Sequence, residues 1–358
     1  MMRKALKALA VLFGLLLLAV IGLLSPVAYV ETFCRGKIGA ARQEAKMSDP
    51  AFWRAEANTY LTYPEWHIVY AYDGLAETLK TTDEFGFGYF RSIGGFWSST
   101  CQMMRYADAH GGADGATRLM VHTIGVSFTL EMVMKAAYEE TFGRLVAAVR
   151  GEEKTPQDLV ARDMAITYAA FLRQTPWYKF DFGQWRDKLD AAPITDTLRG
   201  WERRLALGGE WSAKIAYAQA IAAGVAATGE AKLTIRSLVG DIPSADLTTV
   251  PGVTLIEETP AGAIIETERY DAFTKIIAAV TAKGGRFVEI AGNDDIMASV
   301  LVAPGETYAG PGAEIARVGR DGFAGDRVLA TLKTSELGTL YSAYPAMAGR
   351  GVEHVFDY

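Results

Sequence analysis

His67 stands one turn after Tyr63 and one turn before Tyr70, so helical spacing puts the three rings on one face. The chain has only four histidines in 358 residues. A histidine among tyrosines is a candidate metal or haem ligand, or a proton-transfer group. The plainer reading is an amphipathic side chain in an aromatic core. Glu65 lies close by, but a capping box with Thr62 accounts for it. His122 is the other candidate ligand. It has no second histidine at i+3 or i+4, so the zinc-protease pattern is absent. Beside it, Thr123, Ser127, Glu131, Lys135 and Glu139 form a polar stripe on an otherwise apolar helix, with Glu131 and Lys135 in the favourable order for an ion pair. His122 and Glu131 fall on nearly opposite faces of that helix, so a third element is needed to join them at one ion. The catalytic reading therefore combines His67, His122 and Glu131 between two helices, with His67 and His122 as metal ligands. The competing reading of the stripe is a solvated or ion-paired face.

Other patterns carry less chemistry. Asp73 and Glu77 read as a solvated patch. Gly88/Ser92, Gly94/Ser98 and Gly95/Ser99 are small residues four apart and suit close helix packing, with room for a lipid chain or cofactor as the alternative. The glycines between Gly305 and Gly325 match neither a P-loop nor a dinucleotide fingerprint and read as a flexible insertion. No nucleophile elbow occurs. No motif specifies a cofactor or a reaction.

The elements that must position these residues begin with an uncharged run from Ala8 to Val30. At ~1.5 Å per residue it reaches about 35 Å, enough to cross a ~30 Å hydrocarbon layer. Leu12, Leu16, Leu17 and Leu23 are expected among its anchor residues. The run is longer than a cleaved signal's apolar core and lacks a small-x-small exit, so it reads as an uncleaved anchor. Arg3, Lys4 and Lys7 precede it; Arg35, Lys37, Arg42 and Lys46 follow it. The short basic tail favours the N-terminus inside and residues 32–358 outside the cytoplasm. Cys34 and Cys101, the only two cysteines, read as unpaired thiols, with one disulfide as the alternative outside the cytoplasm.

Half of the residues are hydrophobic and the net charge is −6, which excludes global disorder and makes nucleic acid an unlikely partner. Three parts are expected: an anchor over 1–31, an all-α membrane-proximal domain over 32–230, and a ferredoxin-like α+β domain over 231–358. Helices are expected at 62–80, 85–106, 116–150, from Thr155 to 172, 185–190, 194–207 and 212–227, with no internal repeat. The last part reads β-α-β-β-α-β, the order of a split βαβ unit. Val253–Glu258 is expected to pair with Ala263–Glu268. The aromatic runs 60–66 and 177–185 suit either a membrane–water interface or core filling. Together these features suggest a membrane-anchored binding or assembly protein acting on membrane lipid, a membrane-protein partner or a second copy of itself. The alternatives are a tethered metal- or haem-dependent enzyme and an oligomeric envelope structural protein.

Overall fold

In a computed structural model, the structure describes residues 2–40, 45–228, 232–347 and 349–357. It opens with α1 (Met2–Phe33), which is long and apolar enough to cross a membrane and includes Pro26. Leu12, Leu16 and Leu17 are exposed along it, and Leu23 is half-buried. Its last turn is different. Val30 and Cys34 have no exposed area and belong to the main core.

Eight helices follow among the described residues: α2 (Glu56–Leu61), α3 (Tyr63–Thr81), α4 (Tyr89–Ala109), α5 (Gly115–Tyr138), α6 (Arg144–Arg150), α7 (Pro156–Leu172), α8 (Phe182–Ala191) and α9 (Thr197–Thr228). The start of α7 has the capping box that Thr155 and Asp158 can form. The capping box expected at Thr62 and Glu65 does not form. Thr62 has right-handed helical backbone because α2 ends immediately before it, and its hydroxyl donates to Thr59 O at 2.7 Å. The expected 116–150 helix is continuous but includes one π-turn at Glu139–Gly143. A Cβ on Gly143 would stand 2.4 Å from Glu139 Oε2, so glycine lets that carboxylate fold over the wide turn. The two helices expected at 194–207 and 212–227 are one, α9. Its Gly208 and Gly209 face open space and do not break it.

The remaining elements are β1 (Thr234–Gly240), α10 (Ser244–Leu247), β2 (Thr254–Thr259), β3 (Gly262–Glu268), α11 (Asp271–Ala282), β4 (Arg286–Ile290), β5 (Asp295–Val302), β6 (Ala313–Gly319), β7 (Asp326–Lys333), α12 (Leu337–Ala343) and β8 (Gly351–Phe356). The expected β2–β3 hairpin is present. The single ferredoxin-like unit is not what these strands build. They form two antiparallel sheets, β2-β3-β1-β4 and β6-β7-β5-β8. Each has one split βαβ: α11 links β3 and β4 on either side of β1, and α12 links β7 and β8 on either side of β5. The split unit therefore occurs twice. Two strands escaped the sequence reading. β1 lies just beyond the expected boundary at 229–232, most of which falls outside the described residues. β6 lies inside the supposed flexible insertion, whose glycines occupy turns around it, including Gly312, Gly322 and Gly325 at positive φ.

The sheets share one apolar core with α11 and α12, including Ile235, Phe287, Val300 and Val355. The other face of the second sheet packs on the helices. Met297, Ala316, Leu329 and Phe356 enter the same core as Tyr63, Trp66 and Phe96. The segment after α1 also crosses to the sheets, where Glu289 accepts the backbone N–H groups of Lys46 and Met47.

Candidate functional site

His67 projects from α3 into the core between α3, α4 and α5. Its Nε2 bonds Ser92 O at 2.9 Å, and the rings of Phe96 and Phe128 stand edge-on to it. A Cβ on Gly95 would come within 2.8 Å of the imidazole, so the small residues of α4 make room for this ring. Burial pushes His67 down to about 4, so it is neutral at pH 7 with its donor spent on Ser92. Its Nδ1 is buried without a hydrogen-bond partner.

His122 sits elsewhere, at the C-terminal end of α1. Its Nε2 is 2.8 Å from Glu31 Oε1, and Arg118 and Arg35 reach Glu31 Oε2 at 2.8 and 3.3 Å. Arg35 also makes a two-pronged bond to buried Asp108, at 2.7 and 2.9 Å. Here the thiol expectation is corrected. Cys34 and Cys101 form a disulfide, with their Cα atoms 5.0 Å apart. The fold brings the last turn of α1 against the middle of α4, a proximity that a separation of 67 residues conceals.

Glu131 has a third environment. Lys214 of α9 lies 2.8 Å from it, and Tyr72 OH donates to it at 2.5 Å. Burial opposes charge on both partners, but their attraction outweighs it: Glu131 falls below the usual carboxylate range and Lys214 rises well above its own. Lys214 also stands over the rings of Tyr72, Tyr168 and Phe182. Lys135 turns to Glu210 at 2.7 Å rather than to Glu131. His67, His122 and Glu131 thus have three separate partner sets. Among the described residues one group of three potential metal ligands converges, Glu56, Asp294 and Asp295, and it includes none of them. Lys333 Nζ lies 2.8 Å from Asp295.

The feature that adjoins the end of α1 is apolar. From the Glu31 cluster outward, α5 and α6 expose Leu119, Met120, Leu130, Val133, Met134, Leu145 and Val149. Leu119 is 67% exposed and Met134 64%. These positions recur at helical spacing, so they form a ridge along the helix rather than scattered single residues. The segment Gly115–Arg150 itself meets the length and hydropathy of a membrane span. Its opposite face is fixed by Val121, Phe128 and Met132 in the core. Next to α6, α9 exposes Leu198, Trp201 and Leu205. The aromatic runs lie elsewhere. Tyr60, Tyr63, Trp66, Phe180, Phe182 and Trp185 are buried and fill the core, while Trp177 and Tyr178 are half-buried.

Sequence reading missed Arg173, Arg320, Arg327, Glu353 and His354, which gather where α3 and α7 meet the second sheet. Asp73 belongs with them, paired to Arg173 at 2.5 Å and not part of a solvated patch. The available signal was the charged pair Glu353-His354 set between valines in the last strand. No known protein family, characterised protein or solved structure matches this chain.

Proposed function

We propose that this protein is a single-pass, membrane-anchored binding protein whose α5–α6 ridge rests on the lipid surface beside its own anchor. The observation that carries the reading is the continuity of the ridge with α1. The ridge begins at the turn that Glu31, Arg118 and His122 tie to the anchor, where the chain leaves the membrane. A water-exposed stripe of Leu, Met and Val is costly, and burying it in the acyl boundary gains roughly 25 cal/mol per Å². In this reading residues 32–358 lie outside the cytoplasm. The disulfide supports that side, because such bonds persist in oxidising compartments.

The test is fluorescence of the full chain reconstituted in vesicles that contain brominated acyl chains. A Trp introduced by Met134→Trp should be quenched relative to wild type. An added tryptophan that is not quenched would overturn lipid docking in favour of a protein partner. For sidedness, protease added outside sealed cells should cleave residues 32–358. Cleavage only from the cytoplasmic face would reverse the orientation.

A further inference from the structure

The π-turn at Glu139–Gly143 stands in the middle of the exposed ridge, between Met134 of α5 and Leu145 of α6. Turns of this kind interrupt the regular helical ladder and recur at functional positions. Side chains brace this one: Thr141 Oγ1 donates to Ala137 O at 2.5 Å, and the Glu139 carboxylate folds over Gly143.

From the turn, Glu139 reaches inward into a buried ionic cluster. Arg203 of α9 forks onto it at 3.0 and 3.1 Å. The same Arg203 Nη1 lies 3.1 Å from Glu84, which precedes α4. Arg203 also holds Glu202, which takes Arg199 at 2.9 Å and the Tyr138 hydroxyl at 2.5 Å. Beyond them, Arg199, Arg150 and Lys154 share Asp83 and Asp158 at 2.6 to 3.6 Å. Lys135 of α5 is paired with Glu210, and Arg144 of α6 is exposed over the Phe85 ring. Among the described residues the cluster therefore sets five carboxylates, none more than 10% exposed, against four cations. The three guanidinium groups keep their protons, and a buried carboxylate in excess of its cations takes up a proton rather than stay charged. Glu84 and Glu139 compete for one Arg203 nitrogen, an arrangement that raises the proton affinity of one of the two. Burial and Glu84 push Glu139 up to about 7. Tyr89 of α4 is buried nearby without a hydrogen-bond partner, and burial and the two carboxylates keep its phenol protonated.

We propose that the π-turn is a proton-operated hinge in the ridge. With one proton held between Glu84 and Glu139, Arg203 pins the Glu139 carboxylate and the turn is latched. When that proton passes to solvent, the cluster carries one buried negative charge too many. Glu139 is the carboxylate that then leaves, because its own backbone is the irregular turn and its neighbours Glu140 and Thr141 already face solvent. Its departure unlatches α6, so that Leu145 and Val149 come free of the α5 half of the ridge. The hinge concerns the shape of the ridge itself and holds whether lipid or protein covers it.

The experiment is hydrogen–deuterium exchange of the full chain in detergent between pH 6 and pH 9, with exchange times scaled for intrinsic base catalysis. Amides of residues 139–150 should lose protection above neutrality, roughly tenfold for each pH unit, the slope of a single proton. Amides of α3, which carries no member of the cluster, should not. Glu139→Gln has no charge to expel and should keep the segment protected throughout. Glu84→Gln brings carboxylates and cations into balance and should do the same. Glu140→Gln, the exposed neighbour, should match wild type. Protection of 139–150 that does not respond to pH, a loss that α3 shares, or a loss that persists in Glu139→Gln would overturn the proposal. If Glu139→Gln does not fold, Glu84→Gln decides it.

Discussion

The two sheets are built to one plan and used for different purposes. Both run strand, hairpin, helix, strand, and both slip register at the same two places. In the first sheet Val288 is the extra residue where β1 meets β4, and Ile256 is the extra one between β2 and β3. In the second sheet Glu353 and Ile315 hold those positions. A bulge turns its extra side chain toward whatever lies over the sheet. Over the first sheet lies Met47, and Val288 joins Leu238 and Ile264 in a small apolar cluster. Over the second lies α3, and Glu353 pairs with Arg327 beneath Tyr70. The comparison teaches that the repeated backbone feature is a socket, and that the residue in it decides between plain packing and a charged site.

Exchanging the residues in the socket tests that statement. Glu353→Val gives the second sheet the first sheet's residue and strands buried Arg327. Denaturant unfolding of the full chain in detergent should record a loss of about 3–5 kcal/mol. The double change Arg327→Met with Glu353→Val should recover most of it, since an apolar pair of similar volume is often neutral or better. Val288→Glu places an unpaired carboxylate against Met47 and should cost about 1–3 kcal/mol in the same measurement. Gly74→Ala drives a methyl into the β6–β7 tip, which has no counterpart over the first sheet, and should cost about 1–3 kcal/mol.

The smallest effect contrasts two buried acids. Burial and neighbouring Glu84 push Glu139 up to about 7 despite its bonds from Arg203. Its contribution is therefore fully present below the ordinary glutamate range and is lost as pH rises toward 7. Arg327 outweighs burial at Glu353 and lowers it, so its contribution is present at neutral pH and is lost only on acidification. Unfolding midpoints between pH 4.5 and 7.5 should decline less in Glu139→Gln than in wild type.

Much of the secondary structure was legible and the doubling of the sheet was not. The apolar helix α1, α5, α7 and the β2–β3 hairpin announced themselves through unbroken hydropathy, helical period or cap chemistry. The repeat left no such trace. Register aligns Gly262–Glu268 with Arg327–Lys333, yet no residue is shared between them. A strand pattern demands only alternating burial, which many sequences satisfy. The charged cluster around Arg327 was hidden for another reason. Asp73, Arg173, Arg320 and Glu353 come from four separate elements, and a lone charge in each looks like ordinary surface. His67 was visible because its tyrosine neighbours are local, but its partner Ser92 and the space left by Gly95 belong to another helix.

The joint at Cys34 has a mechanical consequence. Were α1 to span a bilayer as proposed, a loose leash at its end would let the attached body wander over the surface. Here Val30 and Cys34 are embedded in the main core, and a covalent bond ties the rod's end to α4. Membrane thickness sets how far such a rod leans. If α1 spans a bilayer as proposed, a joint packed and cross-linked in this way passes a change of lean on to the folded part, and a thicker or thinner bilayer would lift or press the α5–α6 ridge.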